Sequence, residues 1–190
     1  AESRFSDMYL VRITSTGELD EGFGEQGIIR FKMGFKNYSS LSVLEDQSIL
    51  FFLPSSPGMI VKLKSDGSLD EGYGKDGKFS LVYDNLNFSV IQFFVLSDNS
   101  LMCMARTMIE GRDKWCCFKI TPTGSFDPSF GENGVIEDDP LLPYSMKAEQ
   151  SDGKIVLRGF NNLIRINPDG TLDESFADKG VYQMKGNNII

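Results

Sequence analysis

One motif is written four times along this chain of 190 residues. It reads YLVRITSTGELDEGFGEQG at 9–27, MIVKLKSDGSLDEGYGKDG at 59–77, CCFKITPTGSFDPSFGENG at 116–134 and NLIRINPDGTLDESFADKG at 162–180. A repeat of about 50 residues constrains the fold strongly, because one unit cannot bury its own apolar face and must stack on its neighbours. The shared skeleton is an apolar residue, Lys or Arg, Ile or Leu, three polar residues, Gly, any residue, Leu or Phe, Asp, two residues, Phe or Tyr, and a closing Gly. Gly17, Gly67, Gly124 and Gly170 recur in register, as do Asp20, Asp70, Asp127 and Asp173, and then Phe23, Tyr73, Phe130 and Phe176. The closing glycines are Gly27, Gly77, Gly134 and Gly180, and the aspartates are spaced by 50, 57 and 46 residues.

A second pattern lies between the motifs, in LSVLEDQSILFFL at 41–53, VIQFFVLSDNSLMCMA at 90–105 and MKAEQSDGKIVLRG at 146–159. Each is a strand pattern, a polar turn and another strand pattern. The turns Glu45-Asp46-Gln47, Ser97-Asp98-Asn99 and Ser151-Asp152-Gly153 have hairpin chemistry. Every full unit therefore holds strands a and b around this turn, strand c in the apolar–Lys/Arg–Ile segment, and strand d after the closing glycine at 27–33, 77–83, 134–137 and 180–184. No run keeps a 3.6-residue period, so almost no helix is expected. Four antiparallel strands per unit is the arithmetic of a β-propeller blade. The expected fold is all-β, with propeller-like tandem four-stranded blades, about three and a half of them, as an open arc or part of a larger ring. One repeat domain spans 1–190, divided at about 1–34 (partial), 35–84, 85–139 and 140–190. The first unit has strands c and d only, so a missing chain segment or a second copy is expected to complete the propeller.

The segment SDGKIVLRGFNNLIRINPDGTLDESFADKG at 151–180 resembles the delta-60 repeat of bacteria. The resemblance extends in weaker form over the other three units and implies a β-propeller; it implies little about function. Unit four departs from the pattern at Ala177, where the others carry Gly24, Gly74 and Gly131.

The repeated residues have structural readings. The glycines suit positive φ in the c–d connection. The aspartates suit Asx turns. Leu19, Leu69, Phe126 and Leu172, with the Phe/Tyr set, suit a plug between neighbouring blades. Calcium binding fails on the EF-hand template: with Gly170 at the sixth loop position, the first is Arg165 and the twelfth Phe176, neither of them a ligand. The chain has three cysteines, Cys103, Cys116 and Cys117, and no histidine, so a zinc site with its roughly four Cys/His ligands is not expected, and neither is any other metal or cofactor. Cys103 could approach Cys117 across a hairpin, or all three could be buried free thiols. Without histidine, serine triads and Cys–His dyads are excluded.

Net charge is −8, which disfavours a nucleic-acid partner. No stretch of about 18 apolar residues is present to span a membrane. The feature with functional promise is the d-to-a connector, which carries Tyr38-Ser39, Phe88-Ser89 and Tyr144-Ser145. Aromatic and amide residues flank these pairs: Phe35 and Asn37, Asn85 and Asn87, Phe160 and Asn161. Such a face suits a protein or glycan partner; alternatively, the aromatics start strand a and pack inward. The expected function is a non-enzymatic binding or scaffold module, bacterial and secreted or on the cell surface. A lectin-like propeller is the alternative, and a carboxylate-based hydrolase, using clusters such as Asp138-Asp139, a remote one.

Overall fold

The computed structural model describes residues 7–31, 40–53, 55, 57–84, 86–109, 111–137, 145–159 and 161–184. Among these the chain is all-β, with sixteen strands. Repeat one contributes a two-stranded pair, β1 (Met8–Val11) and β2 (Ile28–Phe31). Repeat two forms a four-stranded antiparallel meander of β3 (Leu41–Val43), β4 (Ile49–Leu53), β5 (Met59–Leu63) and β6 (Lys78–Ser80). A short hairpin follows, β7 (Val82–Tyr83) and β8 (Leu86–Asn87). Repeat three is β9 (Ser89–Val95), β10 (Leu101–Ile109), β11 (Arg112–Ile120) and β12 (Val135–Glu137). Repeat four is β13 (Ser145–Glu149), β14 (Ile155–Arg158), β15 (Asn162–Ile166) and β16 (Val181–Gln183). The three full repeats each make a sheet in sequence order, as strands a to d require.

The a–b turns have the expected chemistry. Leu44 and Ser48, Leu96 and Ser100, and Gln150 and Lys154 close three-residue loops, and the third loop residue takes positive φ: Gln47 at +65°, Asn99 at +62° and Gly153 at +78°. Asp46, Asp98 and Asp152 each accept the backbone N–H two residues on. Strand d of repeat two is shorter than the sequence suggests. Leu81 is fully buried, its N–H donates to the Gly58 carbonyl, and Val82–Tyr83 leaves the sheet to pair with β8 around Asp84 at φ +45°.

The chain forms two compact halves, Ala1–Asn87 and Phe88–Ile190. The core of the first lies between repeats one and two: Phe23 packs with Ile49, Phe51, Val61 and Leu63. The core of the second lies between repeats three and four: Met102, Met104, Cys117 and Phe130 pack with Ile155, Leu157, Ile164 and Ile166. This is stacking of units on one another, and it supplies the apolar burial that no single repeat could.

Candidate functional site

The c–d connection is built the same way in all four repeats. After strand c, Gly17, Gly67, Gly124 and Gly170 take φ between +80° and +89°, which closes a tight turn. The repeat aspartate comes next, and both its carboxylate oxygens are engaged. One accepts the backbone N–H two residues on: Gly22 to Asp20 at 3.1 Å, Gly72 to Asp70 at 3.3 Å, Ser129 to Asp127 at 3.0 Å and Ser175 to Asp173 at 3.1 Å. The other meets the cation of strand c eight residues earlier: Arg12 at 2.9 Å, Lys62 at 3.1 Å, Lys119 at 3.4 Å and Arg165 at 2.6 Å. In repeats one and four the guanidinium also lies over the plug ring, Arg12 over Phe23 at 4.5 Å and Arg165 over Phe176 at 4.7 Å. The connection ends in a two-residue hairpin with positive φ at both positions, a type I′ turn, in Gln26-Gly27, Asp76-Gly77, Asn133-Gly134 and Lys179-Gly180.

This arrangement sets the electrostatics. The Ser175 hydroxyl foremost, then Lys154 and Arg165, hold the Asp173 carboxyl far below the usual carboxylate range. At Asp127 desolvation pushes the other way, and hydrogen bonds from Ser129 with the Lys119 ammonium overcome it and lower the pKa. The cation beside each repeat aspartate is therefore a side chain of the same repeat. The repeat aspartates, expected as Asx turns, are that and ion-pair partners as well. The Lys/Arg signal at fixed register was in the motif; its pairing with the aspartate was not drawn from it.

The thiols are inert. Cys103 pairs in register with Phe118, and Cys117 with Met104, so Cys103 and Cys117 point to opposite faces of the β10–β11 hairpin and do not bridge. All three thiols are free and buried. Burial raises each pKa, that of Cys117 to about 12, so no thiolate is available as a nucleophile.

The aromatic connector face fares unevenly. Phe88 is a correction: it is 2 % exposed and packs on Phe118, with ring centroids 5.2 Å apart, and on Phe126 at 6.4 Å. It begins strand a facing inward, where burying its ring is worth far more than exposing it to a partner. Asn161 is exposed, and its carbonyl accepts from the Met184 N–H. Asn87 lies in β8. Tyr38, Tyr144, Phe35, Asn37, Asn85 and Phe160 lie outside the described residues.

A different surface stands out. Strands β10 and β11 are nine residues each, against four or five for β4, β5, β14 and β15. The face that buries Met102, Met104 and Cys117 continues outward through Arg106 and Trp115, directly opposite each other, to Met108, which is 59 % exposed. The Arg106 guanidinium lies 4.9 Å from the Trp115 ring centroid. Residues 106–115 carry three cations, Arg106, Arg112 and Lys114, against two carboxylates, Glu110 and Asp113. The sequence signal for it was the spacing of 57 between Asp70 and Asp127.

Fold and motif together define a chain of propeller-type repeats, three of them four-stranded blades and the first a two-stranded pair, each locked by an aspartate–cation clamp. Residues 150–176 match the model of a domain of unknown function, DUF5122, described as a beta-propeller. That stretch runs from the a–b turn of repeat four to its plug aromatic. No curated protein and no solved structure matches the chain. Among the described residues there is no helix, and so none long and apolar enough to cross a membrane.

Proposed function

We propose that this chain is a non-enzymatic binding or scaffold module of the delta-60 type, and that its contact element is the β10–β11 hairpin. The observation that carries this is the extension itself. In repeats two and four, strands b and c stop where the sheet stops; in repeat three strand a ends at Ser89 opposite Arg106, and strands b and c continue past this arginine–tryptophan layer through Thr107–Lys114, Met108–Asp113 and Ile109–Arg112, with Met108 exposed. Trp, Arg and Met are the residues enriched at contact surfaces, where a flat ring and a planar cation offer area at little entropic cost. The repeated residues are engaged in turns, ion pairs and packing, which supports a reading in which contact falls to the element the repeats do not share. The aromatic connectors give a glycan reading less support, because Phe88 belongs to the core.

The test replaces residues 106–115 with Asn-Gly, which closes the Ala105–Cys116 pair by a two-residue turn. Immobilised wild-type and shortened chains are exposed to the same cell extract and medium, and the retained proteins are identified by mass spectrometry. Proteins held by the wild type and lost by the shortened chain, at equal unfolding midpoints, support the reading. Identical sets, or nothing retained by either, overturn it.

A further inference from the structure

The same repeat-to-repeat interface occurs twice. Repeats one and three each present a leading face to the repeat that follows, and repeats two and four a receiving face to the repeat before. Between repeats one and two, Phe23 of the leading face inserts among Val61, Leu63 and Leu69, and the Gly24 N–H donates to the Asp66 carbonyl at 2.8 Å. Between repeats three and four, Phe130 meets Ile164, Ile166 and Leu172, and the Gly131 N–H donates to the Asp169 carbonyl at 2.8 Å. These positions correspond one to one in the motif.

On that register the receiving face of repeat one consists of Val11, Ile13 and Leu19. They are 48 %, 64 % and 47 % exposed, whereas Val61, Leu63, Ile164 and Ile166 are at most 3 % exposed. The leading face of repeat four is open too. Its plug Phe176 is only half-buried, against full burial for Phe23 and Phe130, and Tyr182, in the place of Ile29 and Ile136, is 50 % exposed. Both are apolar surfaces of the type that marks an association site.

We infer that the Val11–Ile13–Leu19 face of one copy receives the Phe176–Tyr182 face of a second copy, head to tail. The occupant is a second copy because its leading face carries what the receiving face takes elsewhere in this chain. Phe176 stands at the plug position of Phe23 and Phe130, and the Ala177 N–H stands where those of Gly24 and Gly131 do. Its acceptor is the carbonyl of Thr16, which corresponds to Asp66 and Asp169. The contact is heterologous, so it either closes a small ring or extends. It does not depend on the β10–β11 hairpin, and the hairpin-shortened chain associates as the wild type does.

Sedimentation velocity on the full chain over a concentration series tests this. The wild type is expected to associate with rising concentration. Ile13→Glu, Leu19→Lys and Tyr182→Glu, all at exposed positions, are expected to remain monomeric with unchanged circular dichroism. An equimolar mixture of Ile13→Glu and Tyr182→Glu retains one intact receiving face and one intact leading face. It is expected to recover association that stops at the dimer. A wild type that stays monomeric, variants that associate like the wild type, or a mixture that yields no heterodimer each overturn the inference.

Discussion

Ala177 gives the sharpest test of what the repeated glycines do. It occupies φ +47°, where Gly24, Gly74 and Gly131 lie at +56° or +57°. A Cβ built on Gly131 would come within 2.4 Å of the Val135 carbonyl oxygen and 2.8 Å of Ile136 Cγ1. Repeat four carries that methyl, and its loop is more open: the Asp178 N–H reaches the Val181 carbonyl at 3.2 Å, whereas the matching bonds from Glu25, Lys75 and Glu132 are 2.8 Å. The left-handed region costs a non-glycine residue about 1–2 kcal/mol. Glycine's extra freedom in the unfolded chain takes back about 0.4–1 kcal/mol. Ala177→Gly should therefore stabilise by about 0.5–1 kcal/mol. Gly131→Ala carries the same strain plus a weakened hydrogen bond worth about 0.5–1.5 kcal/mol, and should destabilise by about 1–2 kcal/mol. Both sites lie in the carboxy-terminal half with Trp115, so urea unfolding followed by tryptophan fluorescence reads both. In melting experiments each kcal/mol is worth roughly 2–4 °C for a chain of this size. A destabilised Ala177→Gly, or a Gly131→Ala as stable as the wild type, would refute the assignment of strain to this position.

Phe130→Ala should cost about 3–5 kcal/mol by opening the core between repeats three and four, whereas Phe176→Ala, at a half-buried ring, should cost clearly less; urea midpoints compare the two. Asp46, Asp66, Asp98, Asp127, Asp169 and Asp173 all have lowered folded pKa values, so their contribution is fully present above the unfolded value of about 3.9 and is lost as pH falls through the folded values. The urea midpoint should hold from pH 7 to about 5 and fall steeply below about pH 4, with a shallower fall for Asp173→Asn; a midpoint rising in acid would contradict the ion-pair account. Ellman's reagent should label none of the three cysteines in the native protein and all of them in denaturant, and oxidation of the native chain should leave no internal disulfide by mass spectrometry.

The turns and strands were legible because their information is local. Asn133-Gly134 or Ser97-Asp98-Asn99 states its φ requirements in two or three residues, and the plug ring of Phe130 is announced by the apolar neighbours it must cover. The clamp was half legible. Asp127 is visible as an Asx residue from Ser129 two positions on, but its tie to Lys119 crosses the loop, and only the folded turn shows that eight residues bring the two groups to 3.4 Å. Phe88 was misread because an aromatic at the start of a strand has no partner pattern to say which face it takes; the decision is made by Phe118 and Phe126 on neighbouring elements. The hairpin was hidden for a related reason. An interval of 57 residues says that repeat three is longer, but extra residues become strand only if they pair, and here Arg106 meets Trp115 and Thr107 meets Lys114.

The four copies of the motif separate what the fold needs from what a partner could use. In repeats one and three the loop after the aspartate is held from both sides at 2.8 Å, by its own strand d and by a carbonyl of the next repeat, and glycine is the residue that fits between the two. In repeat four the strand side has relaxed to 3.2 Å, and alanine is tolerated. The relaxed loop belongs to the repeat whose plug ring is only half-buried, so the covering of the leading face and the tightness of the loop change together. A residue repeated in all four units is thus accounted for by the loop it closes. On the function proposed above, contact falls to surfaces where the repeats differ: the long hairpin of repeat three, the exposed receiving face of repeat one and the half-buried leading face of repeat four.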